Sequence, residues 1–268
     1  MQHALSVDVE DWHHDSGVDP GGVGPRVETN TDRLLQLFAD YGSRATFFVL
    51  GDVAARYPAL VRRIAAAGHE LGSHGYSHRP VMDLTRRELR ASRQAIEDAT
   101  GVAVKGFRAP YFSIKAEVRW PVDIIHDSGF AYDASILAID RPPGLELVTS
   151  RAPYQLHNGL WEVPVALLRL GRWHLPLASG AGLRFLPACY IERLLRRFER
   201  EVGAGVFYLH PWEVDPLSPT GPGAGRWLLR IGRERLEPRW RQLSQHVQFA
   251  AIRDVFAAQL GSATADSP

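Results

Sequence analysis

The chain is constrained most by a series of short apolar runs, several ending on a titratable residue, separated by stretches of helical period. His3 to Asp8 alternates and turns β-branched near its end, delivering Asp8. Ala45 to Leu50 is aliphatic and aromatic, Glu70-Leu71-Gly72 leads into Ser73 and His74, Val104 to Phe107 delivers Arg108, and Val206 to Leu209 delivers His210. Runs of this length and residue type read as buried strands. Between them, Leu34, Leu37, Phe38 and Tyr41 keep helical spacing toward Gly42, and Leu60, Val61 and Ile64 share a face between Pro58 and Gly68. Thr85 and Glu88 form a capping-box pattern before a helix ending at Gly101. Residues 115–128 read as helical, and Ile191, Leu194, Leu195, Phe198 and Val202 mark the clearest amphipathic helix. Strand–helix alternation with long crossovers predicts an α/β fold with a parallel sheet, open or closed into a barrel. In such sheets the strand C-termini collect the functional side chains, which is where Asp8, His74, Arg108 and His210 fall.

The pattern loosens from Ile139 to Leu186, where only Trp161 to Val165 looks strand-like, and residues 16–25 and 215–225 read as loops. A length of 268 residues with 45% hydrophobic content fits one large domain, with a core over about 3–213 and a C-terminal extension over about 214–268. Lysine plus arginine (31) nearly balances aspartate plus glutamate (30), so no overall field calls for nucleic acid. The arginines at 193, 196, 197 and 200, and from 226 to 241, read as solvated helix faces. A single cysteine, Cys189, excludes an internal disulfide, fits a reducing compartment and reads as ordinary packing. No run reaches membrane-spanning length and no export signal opens the chain, which is expected to be soluble and cytoplasmic, with peripheral membrane contact left open.

His74 and His78, four residues apart, read as two metal ligands, a pattern weak alone and strengthened by its company. Two neutral imidazoles and one carboxylate leave open positions on a divalent cation for water and substrate. Asp8 with Glu10 or Asp11 supplies two carboxylates, one for the metal and one free as a base. Arg108 would hold the free one ionised, and His210 would give a proton to a leaving amine. Trp12 and Trp212 are the best groove candidates among the tryptophans, whose flat faces suit sugar rings, and His13-His14 would rim the site.

These motifs, in order over residues 3 to about 213, resemble the polysaccharide deacetylases of the NodB-homology, carbohydrate esterase family 4 type. The matches are the Asp8 region, Ser73 to His78, the Arg108-Ala109-Pro110-Tyr111 run, Tyr132-Asp133 and Leu209-His210. The resemblance implies a distorted (β/α) barrel, a zinc-like divalent ion and hydrolysis of an N-acetyl group on a glycan. It implies Asp8 as base, His74 and His78 as ligands, Arg108 with Asp133 orienting the base, the Tyr111 N–H on the oxyanion, and His210 as acid. Val9 stands where the family commonly has a second aspartate, so Glu10 and Asp11 remain alternatives for the third ligand. The Arg184 to Pro187 run, His210-Pro211-Trp212-Glu213 and the arginine-rich tail resemble the subgroup found with exopolysaccharide and exosortase loci, which implies a polysaccharide precursor made in the cytoplasm. Hydrolysis of a cyclic amide and non-catalytic glycan binding are the competing readings.

Overall fold

The first run becomes β1 (Gln2–Val9), buried after its first residue, and the sheet is built around it. β1 pairs in parallel with β2 (Thr46–Val49), β10 (Val206–Leu209) and β11 (Gln248–Ala250). Beyond β2 the sheet continues through β3 (Glu70–Ser73), β4 (Gly106–Phe107), β5 (Tyr132–Asp133) and β7 (Trp161–Glu162), all parallel, with β6 (Tyr154–Gln155) antiparallel at the edge. A parallel bridge between Val165 and Val206 brings the chain after β7 against β10, curling the sheet into a distorted (β/α) barrel. β8 (Leu168–Leu170) and β9 (Trp173–Leu175) form a separate hairpin. The computed structural model describes residues 1–16, 26–83, 85–115, 118–138, 150–170, 173–175, 179–215 and 231–264, so most of the two expected loops at 16–25 and 215–225 lies outside the described residues.

The helices are α1 (Trp12–Ser16), α2 (Val27–Ala39), α3 (Gly51–Arg56), α4 (Pro58–Ala66), α5 (Arg86–Thr100), α6 (Trp120–Asp127), α7 (Gly180–Phe185) and α8 (Ala188–Glu201), followed by Arg233–Leu243, Ile252–Val255 and Ala257–Thr264. The capping box of α5 forms as its sequence requires, with Glu88 N–H on Thr85 Oγ1 and Gly101 left-handed at φ 70°. The helix expected over 115–128 is confined to α6, which has Pro121 in its first turn. Cys189 is exposed rather than packed.

Alternation along each strand separates two apolar layers. Leu5, Val7, Phe47, Val49, Leu71, Phe107, Phe207 and Leu209 pack outward with Leu34, Phe38, Leu60 and Ile64 of the helices. Ala4, Phe48, Tyr132, Val163 and Val206 belong to the inner cluster, which Ile252, Phe256 and Leu260 extend. Part of the stretch expected as an extension thus enters the core. Two glycines make the inner packing feasible: a Cβ at Gly72 would lie 2.5 Å from Phe48, and one at Gly106 would lie 2.2 Å from Tyr132. At the start of β3, buried Glu70 receives Thr46 Oγ1–H (2.6 Å), the Tyr132 hydroxyl (3.0 Å) and Arg253 N–H (3.0 Å). Burial raises its carboxyl. The bonds counter that rise and tie the C-terminal segment to the barrel.

Candidate metal centre and acid–base site

The opposite, C-terminal strand ends carry the candidate site. Glu10 leaves β1 through a tight turn in which its N–H bonds the Asp8 carbonyl at 3.0 Å. That turn brings its carboxylate to His74, just past β3, and to His78. Ligand atoms of Glu10, His74 and His78 lie within 4.8 Å of one another, and all three residues are buried. Glu10 Oε2 is 3.7 Å from His74 Nε2 and in contact with His78 Nε2. The outer nitrogens show what this geometry is for. His74 Nδ1 is 2.9 Å from the Arg108 carbonyl, and His78 Nδ1 is 3.2 Å from the His14 carbonyl. A carbonyl only accepts, so each Nδ1 carries the hydrogen and each Nε2 turns a lone pair toward Glu10. Two lone pairs and a carboxylate converging in a buried space need a cation between them, and this donor set fits a divalent metal, zinc among them. Burial pushes the Glu10 carboxyl up, but the contacts with His74 and His78 and the charge of His210 hold it well below the usual range.

Asp11, the alternative third ligand, lies outside this cluster. Its carboxylate accepts backbone N–H groups from Trp12 (2.9 Å), Arg26 (2.6 Å) and Val27 (3.1 Å), fixing the starts of α1 and α2. Asp8 also stands apart from the ligand atoms. Its Oδ1 accepts Arg108 Nη1–H at 2.8 Å, and its Oδ2 faces His210 Nε2 at 4.0 Å. Arg108 is fully buried, bonding Ser6 Oγ (2.8 Å) and the Ala134 carbonyl (3.1 Å) with its guanidinium 4.3 Å from the Phe48 ring centre. Its bonds do not run to Asp133, which was expected to act with it in orienting the base. Asp133 takes the Ser135 hydroxyl, whose oxygen accepts Ala109 N–H at 2.7 Å, so it supports the Arg108 to Tyr111 segment from behind. Asp133 also neighbours Glu162 across β5 and β7.

His210 follows β10. Its backbone N–H and its Nδ1 lie 3.0 and 3.2 Å from Glu213 Oε2, and Glu213 is 3.6 Å from Arg184 Nε. Burial alone would lower the imidazole's pKa, but Glu213, Glu10 and Asp8 push it up to about 10. Glu213 was not singled out from sequence, although the His-x-x-Glu spacing that opens a one-turn helix was a usable signal. A Cβ at Gly180 would lie 1.9 Å from its carboxylate, so a larger residue there would displace Glu213 from this position.

Tyr111 and Phe112 take left-handed backbone (φ 60° and 49°), as does His78 (φ 56°), conformations that cost energy outside glycine and cluster here at the site. Asp8, Glu10, His74, His78, Tyr111, Phe112, Tyr208 and His210 line one cavity of about 230 Å³. Tyr111 is half exposed at its mouth and its hydroxyl bonds the His14 carbonyl at 3.1 Å. The two tryptophans read as groove candidates are instead buried, Trp12 at 6% and Trp212 at 4% exposure. Burial and His13 lower His14 to about 4, and its Nδ1 accepts Asp11 N–H. The His13-His14 stretch thus supports His78 and Tyr111 through a backbone carbonyl.

Fold and site together define a NodB-type (β/α) barrel with a candidate metal centre beside Asp8 and His210. A candidate polysaccharide deacetylase from Mycobacterium smegmatis shares this fold (TM-score 0.61, 23% identity, 99% of this chain and 92% of that one). So does the peptidoglycan N-acetylglucosamine deacetylase Bc1960 (TM-score 0.54, 18% identity, 96% and 88%). Residues 17–130 match the model of the polysaccharide deacetylase family, and residues 134–257 match a domain of unknown function, DUF3473. Relatives include the peptidoglycan deacetylase of Helicobacter pylori (32% identity, 52% of this chain and 48% of that protein) and the chitooligosaccharide deacetylase of Sinorhizobium fredii (31% identity, 46% and 66%). The chain spans about half the length of the first curated relatives it matches. Among the structural neighbours is a carbohydrate esterase family 4 pseudoenzyme from Bacillus anthracis (TM-score 0.50, 16% identity, 95% and 64%), so the fold alone does not carry activity.

Proposed function

We propose that this protein is a metal-dependent N-deacetylase acting on an N-acetylated glycan. The observation that carries the reading is the convergence of Glu10, His74 and His78 in one cavity with Asp8 and His210, each held by a partner suited to its role. A divalent ion held by Glu10, His74 and His78, zinc by its donor set, would polarise the amide carbonyl and acidify a water. Asp8 Oδ2 accepts the proton of the attacking water while Arg108 occupies Oδ1. The water oxygen bonds the acetyl carbon, and the strained turn at Tyr111 supplies a backbone N–H for the oxygen that gains charge. His210 Nε2, aligned through Nδ1 by Glu213, gives its proton to the departing nitrogen as the C–N bond breaks. The products are acetate and a glycan amine.

We further propose that the two matched segments act as one catalytic unit, since β1, which precedes both, pairs with β2 of the first and with β10 and β11 of the second. The resemblance of the tail favours a cytoplasmic exopolysaccharide precursor as substrate. No helix among the described residues is long and apolar enough to cross a membrane. The test is acetate release from N-acetylglucosamine oligomers and from an N-acetylated exopolysaccharide, with and without chelator. Release that survives complete metal removal overturns the mechanism.

A further inference from the structure

Each of the three groups at the metal centre has a second atom, and that atom's partner decides where the first one points. For His74 and His78 the second atom is Nδ1, held by the carbonyls of Arg108 and His14. For Glu10 it is Oε1, and the indole Nε1 of Trp212 donates to it at 3.3 Å. Glu10 needs such a partner most, because it stands past the end of β1, where no strand pairing fixes it. Its terminal torsion is intrinsically broad, so either oxygen could swing toward the histidines. An indole N–H is a donor only, and its bond to Oε1 leaves Oε2 facing His74 and His78.

Trp212 is itself held firmly. It is buried and stacked on His210 (ring centres 5.0 Å apart, 21° between planes), with the Arg233 guanidinium 5.3 Å from its ring. Pro211 opens the one-turn helix Pro211–Val214 that presents Trp212 to Glu10 and Glu213 to His210. We infer that Trp212 is the positioning residue for the third metal ligand, an inference that rests on the metal-centre reading above. Trp212 lies in the DUF3473 segment and Glu10 precedes both matched segments, so the residues of 17–130 alone do not complete the centre.

The test is zinc affinity, measured by competition with a chromophoric chelator, for the wild-type chain and for Trp212→Phe. Phenylalanine keeps a ring against His210 and removes the donor together with part of the indole's volume. Loss of an outer partner typically weakens metal affinity about 10–100-fold, and that loss is expected here in a metal-free protein that still unfolds cooperatively. Equal affinity in the two proteins overturns the inference while leaving the metal centre standing. No zinc binding by the wild type overturns the centre and the inference with it. Should Trp212→Phe fail to fold, ¹⁵N-indole spectra of the wild type decide: the Trp212 signal, assigned by replacing the other tryptophans singly, must shift when zinc is added, and an unmoved signal refutes the role.

Discussion

Glu162→Gln should make the protein's stability less dependent on pH, in a direction the structure fixes. Asp133 and Glu162 are neighbours across β5 and β7 and are both fully buried. Burial raises Asp133 to about 6, and burial together with the Asp133 charge raises Glu162 well above its ordinary range. Two carboxyls so placed share a proton at neutral pH. Both folded-state values lie above the unfolded ones, so the stabilising contribution is complete below about pH 4 and is lost as pH rises through about 6 and beyond. Each pH unit over which the folded state holds one extra proton costs about 1.4 kcal/mol. Glutamine keeps an oxygen for the Ile136 N–H that Glu162 Oε1 accepts at 2.9 Å and gives Asp133 a permanent donor. The stability difference between variant and wild type should therefore grow in favour of the variant by about 2–3 kcal/mol between pH 5 and 7. Urea unfolding across that range reads it directly. A difference that stays constant at every pH refutes proton sharing.

Asp8→Asn should keep bound metal and lose about 10²–10⁴-fold in rate, the worth of a general base, whereas His74→Ala should lose the metal itself, removing one of three protein ligands. Metal per chain measured beside acetate release separates them, and a metal-free Asp8→Asn would make Asp8 a ligand. Gly106→Ala should destabilise by about 1–3 kcal/mol, because its Cβ falls 2.2 Å from the buried Tyr132 ring. An unchanged melting temperature would show that the barrel interior is looser than described.

The barrel and the strand-end residues were legible because both depend on local pattern: apolar runs of strand length, helical spacing, and titratable residues one or two positions past the runs. What escaped depends on contacts between distant residues. Glu10 and Asp11 are equivalent in sequence, and only the turn after Asp8, with the backbone N–H groups of Arg26 and Val27, separates ligand from cap. Asp133 was expected with Arg108 in orienting the base, whereas it meets Ser135 and, across the sheet, Glu162, contacts that no local pattern shows. Trp12 and Trp212 were read by their faces as sugar platforms. Trp212 instead uses its N–H inward on Glu10, a role visible only once residues 10 and 212 are adjacent. Glu213 gains part of its meaning from Arg184, 29 positions earlier in the chain.

The most direct test of the central claim is a titration of metal-stripped protein with zinc, following bound metal per chain and acetate release from N-acetylglucosamine oligomers in the same samples. Activity that is absent without metal and rises in proportion to one bound ion per chain is the predicted result. Acetate release by the stripped protein, or full occupancy with no release from any N-acetylated glycan, would contradict it.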